Sequence, residues 1–218
     1  MKKYTFLLLF LALVLASLAC NLPYQNQEDD ISALLEPAEG FRVENRILGS
    51  ESVELSVPES YYVSDSINEL SSLLGSMGLS GSEAGVDLTG IVNNAQEDVL
   101  VWGYDAGSLG DIPTSFVVAK NEDYAAMPLG LISTFAGTLL GDDVEILEEL
   151  RLTIAGRDTL RWITVVREGG IELTQVVYIF KDSGVLYLVG FNADRQEVYA
   201  QLSNYDAIVA SLRIEDLE

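Results

Sequence analysis

The chain has 218 residues, a mass of 23.8 kDa, 34 acidic and 12 basic residues, no histidine and one cysteine. Without histidine there is no Ser-His-Asp triad, Cys-His pair or imidazole metal site, and one cysteine allows neither an internal disulfide nor a thiolate cluster. A net charge of −22 argues against nucleic acid as a partner, because phosphate binding needs clustered Lys and Arg.

The first element is a targeting segment, residues 1–19. Lys2 and Lys3 form a short basic n-region, and Phe6 to Leu15 is an unbroken apolar run, the h-region of a secretion signal. Ala16, Ser17 and Ala19 are the small residues before Cys20. Ser17-Leu18-Ala19-Cys20 resembles the lipobox of bacterial lipoproteins, with Ser17 where leucine is usual. The expectation is that Cys20 is acylated and becomes the mature N-terminus. The 14 residues from Phe6 to Ala19 fall short of the ~20 that span a bilayer. Two or more acyl chains give stable anchoring, at ~0.8 kcal/mol per buried methylene. Cleavage removes Lys2 and Lys3 and leaves 10 basic residues against 34 acidic, a net of −24. Anionic headgroups repel such a chain, so membrane contact is expected through the acyl groups alone.

Residues 20–40 read as an acidic flexible tether, with Glu28, Asp29, Asp30, Glu36, Pro23 and Pro37, and a short helical turn at Ile31–Leu35. Twenty flexible residues reach about 25 Å root-mean-square. Residues 41–218 read as one domain, long enough for a sizeable core and without an internal repeat.

Within the domain, Phe41–Ile47 and Ser52–Val57 are predicted strands; the second sets Val53, Leu55 and Val57 against Ser52, Glu54 and Ser56. Ser66 and Glu69 form a capping box before Ile67, Leu70, Leu73, Leu74 and Met77, closed by Gly75 and Gly78. Val86–Asn94 is a second predicted helix, so 66–95 forms a helical insert. Val99–Tyr104 and Ser115–Lys120 read as strands. Pro128 suits a first helical turn, Leu129 to Leu140 carry helical spacing, and Gly141 stops it. Four strands follow, Val144–Ile154, Arg157–Arg167, Ile171–Phe180 and Val185–Phe191, with turns at Ala155-Gly156, Gly169-Gly170 and Asp182-Ser183-Gly184. Asp194 and Glu197 open a last helix with Val198, Leu202, Tyr205, Ile208, Val209 and Leu212 on one face.

A two-residue turn at Gly169-Gly170 pairs Glu168 with Ile171. One face then carries Leu160, Trp162, Val166, Leu173, Val177 and Ile179, the other Arg161, Ile163, Val165, Thr174, Val176 and Tyr178. Both faces are largely apolar, whereas an antiparallel sheet with one wet face alternates more cleanly. The expected fold class is therefore α+β: an antiparallel sheet of about six strands with helices on both faces, an α/β/α sandwich. Trp162 is expected in the core. If the next hairpin closes through Lys181–Gly184, Tyr178 faces Tyr187 on the Arg161 face.

The strand ending at Pro58, the strand–Gly156–strand step, "QVVYIF", "VLYLVGF" and the final "YDAIVASLRI" resemble the PsbP-like fold, shared by the extrinsic photosystem II subunit and DcrB-like bacterial lipoproteins. The resemblance runs from Val53 to Ile214 and is densest from Val144. It implies a non-enzymatic role in binding, assembly or stabilisation of a partner, and no functional residue carries over with it.

The remaining constellations are weighed by their chemistry. Asp29-Asp30, Asp142-Asp143 and Glu148-Glu149 lack the alternating ligand spacing of a calcium loop and read as solvated charge. Among 34 carboxylates some close pair is inevitable, so glycosidase-type pairing has no support. Arg151, Arg157, Arg161, Arg167 and Lys181 fall in one run of strands, either as a patch for an anionic partner or, as preferred, as cross-strand ion pairs, Arg167 with Glu172 and Arg157 near Asp182. Arg161, Tyr178 and Tyr187 are the surface or pocket candidates, with core packing the alternative. No catalytic residue, metal or cofactor is assigned. The expected function is a lipid-anchored extracytoplasmic binding or assembly domain on the cell membrane, with an envelope protein as partner. The alternative is a carrier of a small apolar ligand between sheet and helices, and an enzyme using carboxylates stands third.

Overall fold

The computed structural model describes residues 29–31, 40–48, 51–66, 69, 99–108, 113–122, 125–139, 144–168 and 171–216. The expected targeting segment, Cys20 and nearly all of the predicted helical insert lie outside these residues. The strands are β1 (Asp29–Ile31), β2 (Phe41–Leu48), β3 (Glu51–Pro58), β4 (Tyr61–Ser64), β5 (Val99–Asp105), β6 (Ser115–Asn121), β7 (Val144–Ile154), β8 (Arg157–Glu168), β9 (Ile171–Asp182), β10 (Val185–Ala193) and β11 (Arg213–Asp216). The helices are α1 (Leu129–Leu139) and α2 (Arg195–Ser211).

The fold is α+β with a mainly antiparallel sheet core. Eight strands form the main sheet in the order β1-β7-β8-β9-β10-β6-β5-β4, and β11-β3-β2 form a second, three-stranded sheet. One face of the main sheet packs Leu160, Trp162, Val177, Ile179, Leu186 and Leu188 under Leu129 and Ile132 of α1. The opposite face packs Ile163, Val176, Tyr178, Phe180, Val189 and Phe191 against Val198, Tyr205, Ile208 and Val209 of α2 and Val53, Leu55 and Val57 of β3. Helices thus cover both faces, as the two apolar faces demand. The strand count and placement differ from expectation. β2 and β3 leave the main sheet and pair with β11, because the inward row Val53, Leu55 and Val57 is needed beside α2 to close the second face.

The β8–β9 register is the expected one, with Arg167 opposite Glu172, Arg161 opposite Tyr178 and Trp162 opposite Val177. The next hairpin is not. Asp182 pairs with Val185, so Tyr178 lies opposite Val189 and Tyr187 opposite Phe180. Ser183 and Gly184 have φ of 48° and 84°. A tight hairpin of this type takes positive φ at both central residues, which glycine tolerates at the second. An Asp182-Ser183 turn would demand it of two residues with a Cβ.

Two further departures have local causes. Ile31, expected in a helical turn, lies in β1, which pairs in parallel with β7 from Leu152 to Ile154. β7 would otherwise present its backbone as an open edge. β1 thus lies within the stretch expected as a tether. In β7 the register slips between Ile146 and Glu148. This bulge switches faces: Val144 and Ile146 pack with the α1 cluster, while Leu150, Leu152 and Ile154 pack with the α2 cluster.

The capping box is half formed. Ser66 Oγ accepts from the Glu69 amide at 3.4 Å, but the Glu69 carboxylate turns to the Ser64 and Tyr62 hydroxyls, at 2.6 and 2.8 Å. These bonds hold its pKa below the usual carboxylate range. Asp194 precedes α2 as expected, yet its side chain makes no capping bond.

The far edge of the main sheet, β4, is covered by side chains. Arg42 of β2 donates to the carbonyls of Pro58, Glu59 and Tyr61, and Arg46 donates to that of Val63 at 2.9 Å. Glu44 bridges the two guanidiniums, at 2.7 Å to Arg42 and 3.0 Å to Arg46. Charge placed on free carbonyls blunts an edge against pairing.

Candidate functional site

The polar groups that converge inside the protein do so beneath α2. Arg161 of β8 and Tyr178 of β9 are register partners on one sheet face, and both are buried, at 7% and 0% exposure. Asp206 projects from α2 between them. The Arg161 guanidinium donates to both Asp206 carboxylate oxygens, at 3.1 and 3.3 Å, and to Glu148 at 3.3 Å. The Tyr178 hydroxyl donates to Asp206 at 2.7 Å. Burial raises the Tyr178 pKa well above the ordinary phenol value, and the Asp206 charge pushes it further. Burial by itself pulls the Arg161 pKa down, but Tyr178, Asp206 and Glu148 together outweigh it, so the net shift is upward.

This chemistry is that of a clamp. A guanidinium held cationic and a phenol held protonated supply neither a nucleophile nor a general base. What the cluster does is fix α2 in one position on the sheet. Arg157, four residues earlier, acts on the same helix. It donates to the Val209 and Leu212 carbonyls at 2.6 and 3.1 Å, closing the helix C-terminus, and lies 4.4 Å over the Phe180 ring. Burial lowers its pKa, with Asp182 at 4.0 Å acting in the opposite sense.

Arg161, Tyr178 and Tyr187 therefore occupy the interior, not the surface. Tyr187 is 5% exposed and stacks on Phe180 with ring centroids 5.7 Å apart. The basic run resolves into ion pairs and, at Lys181, a backbone hydrogen bond. Arg167 meets Glu145 and Glu172 at 2.8 and 3.0 Å, Arg151 meets Asp158, and Lys181 donates to the Ala125 carbonyl.

Glu148 and Glu149 are expected in solvent; Glu149 is exposed and Glu148 half-buried, and both also make specific contacts. Neighbours on a strand point to opposite faces. Glu148 reaches Arg161 on the α2 face, while Glu149 accepts from the Trp162 indole at 2.9 Å and from the Ser133 hydroxyl of α1. Glu148 thus braces Arg161 from the neighbouring strand, while Glu149 ties α1 to the sheet. The signal available in sequence was an i+13 spacing to Arg161 and Trp162 across the Ala155-Gly156 turn, whose regular register sets Glu149 opposite Trp162.

A second group lies at the β4–β5 end. Tyr62, Trp102 and Tyr104 form a cluster with ring centroids 5.5 to 6.3 Å apart. The Trp102 indole donates to the Ser66 carbonyl at 3.0 Å, and Tyr62 is 44% exposed. Among the described residues, no group of three or more acidic or cysteine side chains is arranged to hold a metal ion.

No protein-family profile matches the chain, and no curated protein does. Among solved structures, the chain is similar to the cyanobacterial PsbP of Synechocystis sp. PCC 6803, at 12% identity over 82% of this chain and 94% of that one, with a TM-score of 0.48. It is also similar to LpqN of Mycobacterium tuberculosis, involved in cell envelope biogenesis, at 12% identity over 80% and 91%, with a TM-score of 0.46. A Pseudomonas aeruginosa protein of unknown function matches at 8% identity over 79% and 96%, with a TM-score of 0.45. Likeness at this level carries no argument about role. The α+β class rests on the strand order and layers described above.

Proposed function

We propose that the chain is a lipid-anchored, non-catalytic binding or assembly domain on the extracytoplasmic face of the cell membrane. The observation that carries this reading is Cys20. It is the chain's single cysteine and stands directly after a basic n-region, an apolar run and small residues. The use of the interior polar groups supports the non-catalytic part, because Arg161, Tyr178 and Asp206 are bound to one another. Among the described residues, no helix is long and apolar enough to cross a membrane. Eight residues separate Cys20 from β1, a span of at most about 30 Å. The anchor thus holds β1 and the β7 edge within one domain's width of the membrane.

Mass spectrometry of the mature N-terminus tests the reading. An acylated Cys20 is the expected result, with Cys20→Ser releasing the protein from membranes. An unmodified cysteine, or a membrane fraction indifferent to the substitution, overturns it.

The partner on this reading is an envelope protein bound in part through charge. At −24 the mature chain attracts cationic surfaces, and like charges opposed at an interface cost several kcal/mol. Binding of a crosslink-captured partner should therefore weaken as salt rises from about 50 to about 500 mM, where the Debye length falls below ~5 Å. Capture that is equally strong across that range would assign the contact to apolar surface instead.

A further inference from the structure

We infer that the open edge of β2 is a self-pairing surface, which joins two copies of this chain through an antiparallel β2–β2 ladder about a two-fold axis. The inference does not depend on the anchor or the envelope partner.

Among the described residues, β2 is the terminal strand of the three-stranded sheet. Its backbone polarity is set by its pairing with β3. The Glu59 amide donates to the Gly40 carbonyl at 2.9 Å, which makes Gly40–Glu59 a hydrogen-bonded pair in the register that sets Val43 opposite Ser56. Such pairs alternate along an antiparallel ladder, so the even-numbered residues of β2 bond to β3. The Ser56 amide agrees, because it turns away from Val43 to the Ser211 hydroxyl at 2.8 Å. The amides and carbonyls of Phe41, Val43, Asn45 and Ile47 therefore face the open edge. There the Asn45 carbonyl receives only a long 3.4 Å contact from the adjacent Arg46.

The side chains give this edge a self-complementary register. With Asn45 on the two-fold axis, Val43 lies opposite Ile47 of the second copy, and Ile47 opposite its Val43. These two are among the most exposed large apolar residues described, at 52% and 69%. On the other face of the strand the same register sets Glu44 opposite Arg46 of the second copy, and Arg46 opposite its Glu44. Residues 43, 45 and 47, whose backbone groups are available, are then the ones that fall in hydrogen-bonding positions. Inward-pointing charge ordinarily deters edge pairing. Here Glu44 pairs with both Arg42 and Arg46 in one row, which also caps β4 and leaves a single net positive charge. Two copies joined in this way make a six-stranded sheet, and apolar and opposite-charge cross-strand pairs are the units that stabilise such a ladder.

Site-specific crosslinking of the full chain tests the inference, with Cys20→Ser so that the introduced thiol stands alone. In the two-fold register the Cα atoms at position 45 lie about 5.5 Å apart, inside the ~4.4–6.8 Å that a disulfide spans. Position 43 lies about 13 Å from its own copy. Under mild oxidation Asn45→Cys should give a disulfide dimer and Val43→Cys should not. Adding Ile47→Lys to Asn45→Cys should lower the crosslinking rate at least tenfold without altering the melt, since Ile47 is exposed. Association through the apolar N-terminal run would show no such site preference. Equal crosslinking at positions 43 and 45, or none at position 45 at concentrations up to about 100 µM, overturns the inference, as does an edge that binds an extended strand of another protein but never itself.

Discussion

Replacing Trp162 by alanine is expected to lower stability by about 3–5 kcal/mol, a large share of the ~5–15 kcal/mol of a typical domain. The side chain is 2% exposed and sits among Leu129, Ile132, Leu160, Val177, Ile179, Leu186 and Leu188. Truncation leaves a void between sheet and α1 that backbone elements on both sides hold open. It also removes the indole donor at 2.9 Å from Glu149, leaving that carboxylate with Ser133 on the α1 side. Phenylalanine at 162 separates the two contributions: it fills most of the void and loses only the hydrogen bond, about 1–2 kcal/mol. Urea titration measures both. An alanine variant with the parent's midpoint would show that α1 does not seat on this face.

Breaking the clamp under α2 from one side should cost a similar amount. Arg161→Met leaves Asp206, with a side chain 16% exposed, buried beside Glu148 and without its cation. Removing one partner of a buried pair typically costs about 3–5 kcal/mol. Asp206→Leu leaves Arg161, 8% exposed, with only the half-open Glu148. The double variant Arg161→Met/Asp206→Leu removes both charges and should be milder than either single change, because desolvation of the charges is then no longer opposed to folding. Tyr178→Phe should cost about 1 kcal/mol, one hydrogen bond. A double-mutant cycle in urea measures the coupling. Additive single effects would mean that Arg161 and Asp206 do not act as a unit.

Residues near each other in the chain were read with most success. The β8–β9 register followed from Gly169-Gly170 alone, and with it the division of Trp162 and Arg161 onto opposite faces. The period of two along each strand then showed that both faces were apolar and needed cover. Turn chemistry decided the one hairpin that was misread: moving the turn by one residue, from Asp182-Ser183 to Ser183-Gly184, shifts every pair by two, yet leaves Tyr178 and Tyr187 on the face where they were expected.

The sequence by itself determined most strands from Val144 to Phe191, the face each of their residues takes, and the reactions that the absence of histidine forbids. These depend on neighbours a few positions apart, on glycine at positive φ and on composition. Only the tertiary structure decided where β1, β2, β3 and β11 pair, that Glu148 meets Arg161 while Glu149 meets Trp162 and α1, that Asp206 meets Arg161 across 45 residues of chain, and that β2 is a terminal strand among the described residues. The physical reason is that each of these is a choice between partners distant in sequence. A carboxylate on a strand carries no local sign of whether it meets water or a guanidinium. A strand pattern shows which face is buried but not which backbone lies beside it, and only closing the layers around Val53, Leu55 and Val57 selects that neighbour.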